Sequence, residues 1–151
     1  MMLRVLQISL ITLLFTAFSH AATPAHSDEV ICGRWMSADN DLMIRVCKEG
    51  TEYRATILWF DDRDDSKDVD DYLDVLNPDP SLRSRKIVGM SVLENLVYAP
   101  KTNTWEDGVI YDAQHGRNWN SCAYITDKGQ LKVKGYWHFK FIGKTLTFKR
   151  V

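Results

Sequence analysis

Along most of this chain apolar and polar residues alternate with a period of two, the spacing that puts one face of a β-strand in a core and the other in water. In VICGRWMS the residues Ile31, Gly33 and Trp35 share a face, and in DLMIRVCK the residues Leu42, Ile44 and Val46 do the same. A turn at Asp39-Asn40 joins the two as a hairpin whose opposing residues have numbers summing to 79. Trp35 then stands opposite Ile44, and both apolar faces agree. Glu49-Gly50 turns the chain into TEYRATILWF, where Tyr53, Ala55, Ile57 and Trp59 alternate with Arg54 and Thr56. Strand pattern returns at IVGMSVLENLVYA, breaks from Pro100 to Thr104, resumes at WEDGVIYD and reverses through Gly116 into RNWNSCAYIT. The turn Asp127-Lys128-Gly129 leads to QLKVKGYW, with Leu131, Val133, Gly135 and Trp137 on one face. The last strand, TLTFKRV, aligns Leu146, Phe148 and Arg150.

These segments predict an all-β domain of about eight strands in mostly hairpin order, the count of a small up-and-down antiparallel barrel. Closure removes the exposed edges that a lone open sheet would have to protect; an open sandwich is the alternative. One stretch breaks the pattern. DDRDDSKDVDDYLDVLNPDPSLRSRK, from Asp61 to Lys86, is a long loop between the third and fourth strands, acidic at first and basic at its end. Loops of this size in a compact domain are usually functional or partly disordered.

The N-terminal MMLRVLQISLITLLFTAFSHAATPA has a different character: one charge at Arg4, an apolar run from Val5 to Phe18, then small residues. It reads as a secretory signal over 1–22, followed by a flexible leader over 23–29 and a barrel domain over 30–151. The expected location is periplasmic or secreted, with no integral membrane segment in the mature form. Nineteen Lys and Arg face twenty Asp and Glu, and removing the signal takes only Arg4, so no global basic footprint for nucleic acid exists. Of the three cysteines, the hairpin register places Cys32 opposite Cys47, a candidate disulfide; Cys122 is left as a buried free thiol.

Motifs that carry chemistry are few. Taking Asp62 as the first position of a calcium loop puts Lys67 at the required glycine and Leu73 at the final acid, so no metal is expected. There is no G-x-S-x-G, and His115 and Cys122 lack a third orienting group. No cofactor motif is present. In Gly135 to Gly143, the period-2 placement of Trp137, Phe139 and Phe141 argues for strand core ahead of a ligand portal or membrane-touching lip. In NPDPSLRSR, Pro78 and Pro80 stiffen a corner, Asp79 can accept turn amides, and Arg83 and Arg85 share a face if the chain is extended from Ser81. Such a guanidinium pair suits a carboxylate or phosphate, whether on a ligand or on this chain's own Asp74, Asp79 or Asp112.

Two residue sets carry a resemblance. Gly33-x-Trp35 with Arg150 on the last strand resembles the lipocalin and calycin signature, in which the arginine packs across the tryptophan at the closed end of a barrel. More specifically, Asp74-x-x-Asn77-Pro78-Asp79-Pro80-Ser81-Leu82-Arg83-Ser84-Arg85, Gly89, Trp105-Glu106-x-Gly108-x-Ile110-Tyr111-Asp112, Gly116, Leu131-x-Val133-x-Gly135-Tyr136, Gly143 and Arg150 resemble the bacterial domain-of-unknown-function family 2147. Lys86, Ala113 and Phe148 depart from that pattern without removing a charged group. The resemblance implies a small exported lipocalin-like barrel and supplies no catalytic residues. The resulting expectation is a binding module for a small, partly apolar ligand. Trp59, Trp105, Trp119 and Trp137 would line the interior, and Arg83 or Arg85 would meet an anionic group. A solid-core interaction domain is the alternative, and an enzyme acting on an envelope component rests only on Asn77, Asp79, Arg83, Arg85, Tyr111 and Asp112. Oligomeric state has no signal in the sequence.

Overall fold

The computed structural model describes residues 28–63 and 66–151. Eight strands close into one antiparallel barrel in which each strand pairs with its neighbour in sequence and the last with the first. They are β1 Gly33–Ser37, β2 Leu42–Glu49, β3 Glu52–Phe60, β4 Ser91–Ala99, β5 Thr104–Asp112, β6 Arg117–Ile125, β7 Leu131–Tyr136 and β8 Gly143–Arg150. The signal expected over 1–22 lies outside the described residues, as does most of the leader. Asp28 and Glu29 instead open a 3-10 turn, Asp28–Ile31, that packs under the barrel.

The first hairpin has the register its pattern implies, with Gly33 opposite Val46 and Trp35 opposite Ile44. Asn40 takes φ +58° in the turn, and the Ser37 hydroxyl donates to Asp41 at 2.6 Å while accepting the Leu42 amide. Cys32 lies just beyond β1, where Gly33 at φ +138° bends the chain into the 3-10 turn. The candidate disulfide is not formed: Cys32, Cys47 and Cys122 are all free, and Cys122 is half-buried on the outer wall.

One end of the barrel is closed by packing. Ile31, Trp35, Tyr53, Leu96, Trp105 and Leu131 are fully buried there. The Arg150 guanidinium lies 4.3 Å from the Trp35 ring centroid and donates to the carbonyls of Cys32 and Val30. The Trp35 indole N–H donates to Ile31 O at 2.8 Å. Gly33 sits at φ +138°, and a side chain there would also crowd the Arg150 guanidinium, which explains why a glycine precedes the tryptophan by two positions. A cation over an indole at an exposed edge contributes about 1 kcal/mol.

Toward the other end the core thins to Ile44, Ala55, Leu93, Val133 and Phe148, around an apolar space of about 50 Å³. Large side chains take up most of the closed half, and the apolar space lies above them.

Three strand expectations fail at this open rim, each for a local reason. A bulge between Met43 and Ile44 skips Leu58, so Trp59 pairs with Met43 and faces outward instead of into the barrel. β4 begins at Ser91 rather than Ile87, because the Ile87 amide bonds Tyr72 O and Gly89 turns at φ +90°. β7 stops at Tyr136, opposite Gly143, which leaves 137–142 as a connecting loop. Trp137, Phe139 and Phe141 are 56%, 60% and 78% exposed rather than core.

Candidate functional site

The connection between β3 and β4 carries the polar residues that stand out most in the sequence, and it folds them onto one another. Asp74 is fully buried and accepts three hydrogen bonds: from the Tyr111 hydroxyl at 2.6 Å, Asn77 Nδ2 at 2.7 Å and Arg85 Nη2 at 2.7 Å. The main chain reinforces the knot, with the Asp74 amide donating to Arg85 O and Leu73 bridging Lys86. Pro80–Leu82 forms a 3-10 turn capped by Asp79, whose carboxylate accepts the Ser81 amide and hydroxyl. That turn removes the extended geometry on which a shared face for Arg83 and Arg85 depended. Arg83 instead donates from Nε to Asn77 O at 2.8 Å. Asp112 stands apart, accepting from His115 Nδ1 at 2.8 Å and from the Gln114 amide.

Burial is the largest single influence on the Asp74 carboxyl and pushes its pKa up. The donations from Tyr111, Asn77 and Arg85, with the arginine's charge, outweigh it and leave the group below the ordinary carboxylate value. Tyr111 is pushed up to about 12 by burial and by its bond to Asp74, so it stays a neutral donor near pH 7. The Asp74 carboxylate is taken up by three donors, while Arg85 gives it one of five N–H groups and keeps a buried Nε without a hydrogen-bond partner. Gly116, at φ +60°, completes the clasp: a side chain there would overlap Leu76 O. The knot pins the long connection to β5 and to the β5–β6 turn.

The tryptophans part company. Trp105 is fully buried, edge-on to Tyr53 at 6.1 Å between centroids, and Trp59 is on the outer wall. Trp119 and Trp137 come together at the open rim, 5.6 Å apart with planes at 76°. They line a cleft of about 450 Å³ together with Val109, Asn118, Asn120 and His138. Asn120 Nδ2 donates to Trp137 O at 2.8 Å, tying the 137–142 loop to β6, and the His138 ring lies 5.6 Å from Trp137. Two indole surfaces with amide and imidazole groups at the margin can hold an apolar body and hydrogen-bond a polar end. Asn118, Asn120 and His138 were not among the residues singled out in the sequence. Their only signal there is adjacency, since Asn118 and Asn120 flank Trp119 and His138 follows Trp137.

Comparison with known proteins agrees with this architecture. Residues 33–150 match the family model described as "Uncharacterized protein conserved in bacteria (DUF2147)". A solved structure titled "Protein HP1028 from the human pathogen Helicobacter pylori belongs to the lipocalin family" superposes with a TM-score of 0.67 at 22% identity, covering 80% of this chain and 82% of that one. At that identity the likeness is one of fold: a lipocalin-like barrel. No curated protein matches the chain. The family match spans most of the sequence, and the chain belongs to DUF2147.

Proposed function

We propose, with membership of a bacterial family of unassigned activity as the premise, that this protein is an exported binding module that takes a small amphipathic ligand at the open rim of its barrel. The observation that carries the reading is the Trp119–Trp137 pair across a cleft of about 450 Å³, set against a space of about 50 Å³ between Ile44, Ala55, Val133 and Phe148 in the barrel. The apolar part of the ligand packs on the two indoles, and its polar end meets the Asn118 amide and His138. Arg83 and Arg85 lie outside the lining of this cleft, and each gives one hydrogen bond to this chain, to Asn77 O and to Asp74. Export is supported by the apolar run from Val5 to Phe18 with small residues after it. A lipocalin-like fold supports binding, and the Asp74 carboxylate at the centre of the polar cluster is taken up by Tyr111, Asn77 and Arg85.

Native mass spectrometry of protein purified from its host tests this. The reading expects a small-molecule adduct that is lost in Trp137→Ala at unchanged melting temperature. Bare protein in every preparation under gentle ionisation would count against it.

A further inference from the structure

Charge is distributed unevenly around the barrel wall. The adjacent strands β7, β8, β1 and β2 carry Arg34, Arg45, Lys48, Lys132, Lys134, Lys144, Lys149 and Arg150, with Glu49 as their single acid. The other four strands hold Glu52, Glu94, Glu106, Asp107 and Asp112 against Arg54 and Arg117. On the basic side Arg34 and Arg45 are direct cross-strand partners, both exposed. Neither these two nor Lys132, Lys134 and Lys149 has an ion pair among the described residues. Like charges placed opposite one another in a sheet are destabilising, and an anionic surface laid against them relieves that repulsion.

The 137–142 loop leaves the rim of this wall between β7 and β8 and is tied over β5 and β6 by Glu106 and Asn120. Trp137, Phe139, Phe141 and Ile142 are 56–78% exposed, a density of apolar side chains that water does not favour. Phe139 and Phe141 stack on each other at 5.4 Å and 24° and present one joint apolar surface to solvent. Lys140 pairs with Glu106 on β5 and anchors the middle of the loop. From 130 to 151 the chain contains six Lys and Arg and no Asp or Glu.

Aromatic and aliphatic side chains on a loop, flanked by unpaired cations, have the chemistry of an interfacial membrane anchor. We infer that the β7–β8 hairpin docks this protein on an anionic lipid bilayer. Phe139, Phe141 and Ile142 enter the headgroup region, and Lys132, Lys134 and Lys149 lie along the charged surface. The inference does not depend on the rim cleft, because neither phenylalanine lines it.

Co-sedimentation of protein in its host-processed form with phosphatidylcholine vesicles, with and without about 30% phosphatidylglycerol, tests the docking. The wild type is expected to bind the anionic vesicles, with affinity falling as salt rises. Phe139→Ser/Phe141→Ser and Lys132→Glu/Lys134→Glu/Lys149→Glu each weaken binding by about tenfold or more while the melting temperature holds. Absence of wild-type binding at low salt overturns the proposal. So does equal binding to neutral vesicles that both variants retain, the behaviour an uncleaved N-terminal apolar run would produce. Retention on a soluble polyanion such as heparin without vesicle binding reassigns the basic wall and also overturns it. Survival of the native-spectrum adduct in the phenylalanine variant separates this result from failure of the cleft reading.

Discussion

The two ends of the barrel use the same residue types for opposite purposes. At the closed end Trp35, Tyr53 and Trp105 are wholly buried, locked by Arg150 and the Asp28–Ile31 turn. At the open rim Trp137, Phe139 and Phe141 stand in water, and Trp119 only half leaves it. Each end also ties a non-barrel segment to the wall through a carboxylate, a tyrosine and a cation: Asp28 with Tyr53 and Lys48 below, Asp74 with Tyr111 and Arg85 above. An aromatic residue with strand periodicity is core only while the strand that carries it still has neighbours on both sides.

The contrast is broken most strongly by truncating one tryptophan at each end. Trp35→Ala removes a fully buried indole and the seat of Arg150, and should cost about 3–5 kcal/mol in urea unfolding. Trp137→Ala should stay within about 0.5 kcal/mol of wild type. A comparable loss in both would mean that the rim aromatics are structural after all.

Next in size is the upper clasp. Arg85→Ala leaves the buried Asp74 carboxylate without its cation and should cost about 3 kcal/mol, read as a clear drop in melting temperature. Asp112→Ala, which loses a surface contact with His115, should cost less than about 1 kcal/mol. The reverse ranking would return Arg85 to the ligand-binding candidates.

The pH dependence is smaller and acts at both extremes. Asp28 and Asp74 are held below the ordinary value of 3.8, so their stabilisation is complete above that value and is lost as pH falls through and below it. Tyr53 and Tyr111 are pushed from 10.0 up to about 12, so theirs is complete below pH 10 and is lost as pH rises toward 12. Melting temperatures across pH should therefore form a plateau between the two limits, and Tyr111→Phe should reduce the alkaline fall. An unchanged alkaline limb in that variant would remove Tyr111 from the clasp's energetics.

How much of this was legible in the chain follows from the same contrast. Period-2 alternation placed the first hairpin in register and put Leu146, Phe148 and Arg150 on one face, because every residue there has strand neighbours on both sides. At the rim, alternation misled. One skipped residue at Leu58 turned Trp59 outward, and the end of β7 at Tyr136 turned an apparent core strand into an exposed loop. Neither event has a composition signature, since bulges and strand ends are set by tertiary pairing. The polar residues from Asn77 to Arg85 were recognisable as a unit. Their mutual bonding was not, because it depends on Tyr111 arriving from β5, thirty-seven residues beyond Asp74.

Binding at the rim and binding inside the barrel are separated most directly by the tryptophan side chains. The side-chain indole N–H signals of Trp35, Trp59, Trp105, Trp119 and Trp137 give five reporters spread over the wall, the core and the cleft. Titration with decanoate below its micelle concentration, followed by NMR, should shift the signals of Trp119 and Trp137 and leave Trp35 and Trp105 in place. Movement of Trp105 and Trp35, or of no indole at all, would contradict binding at the rim.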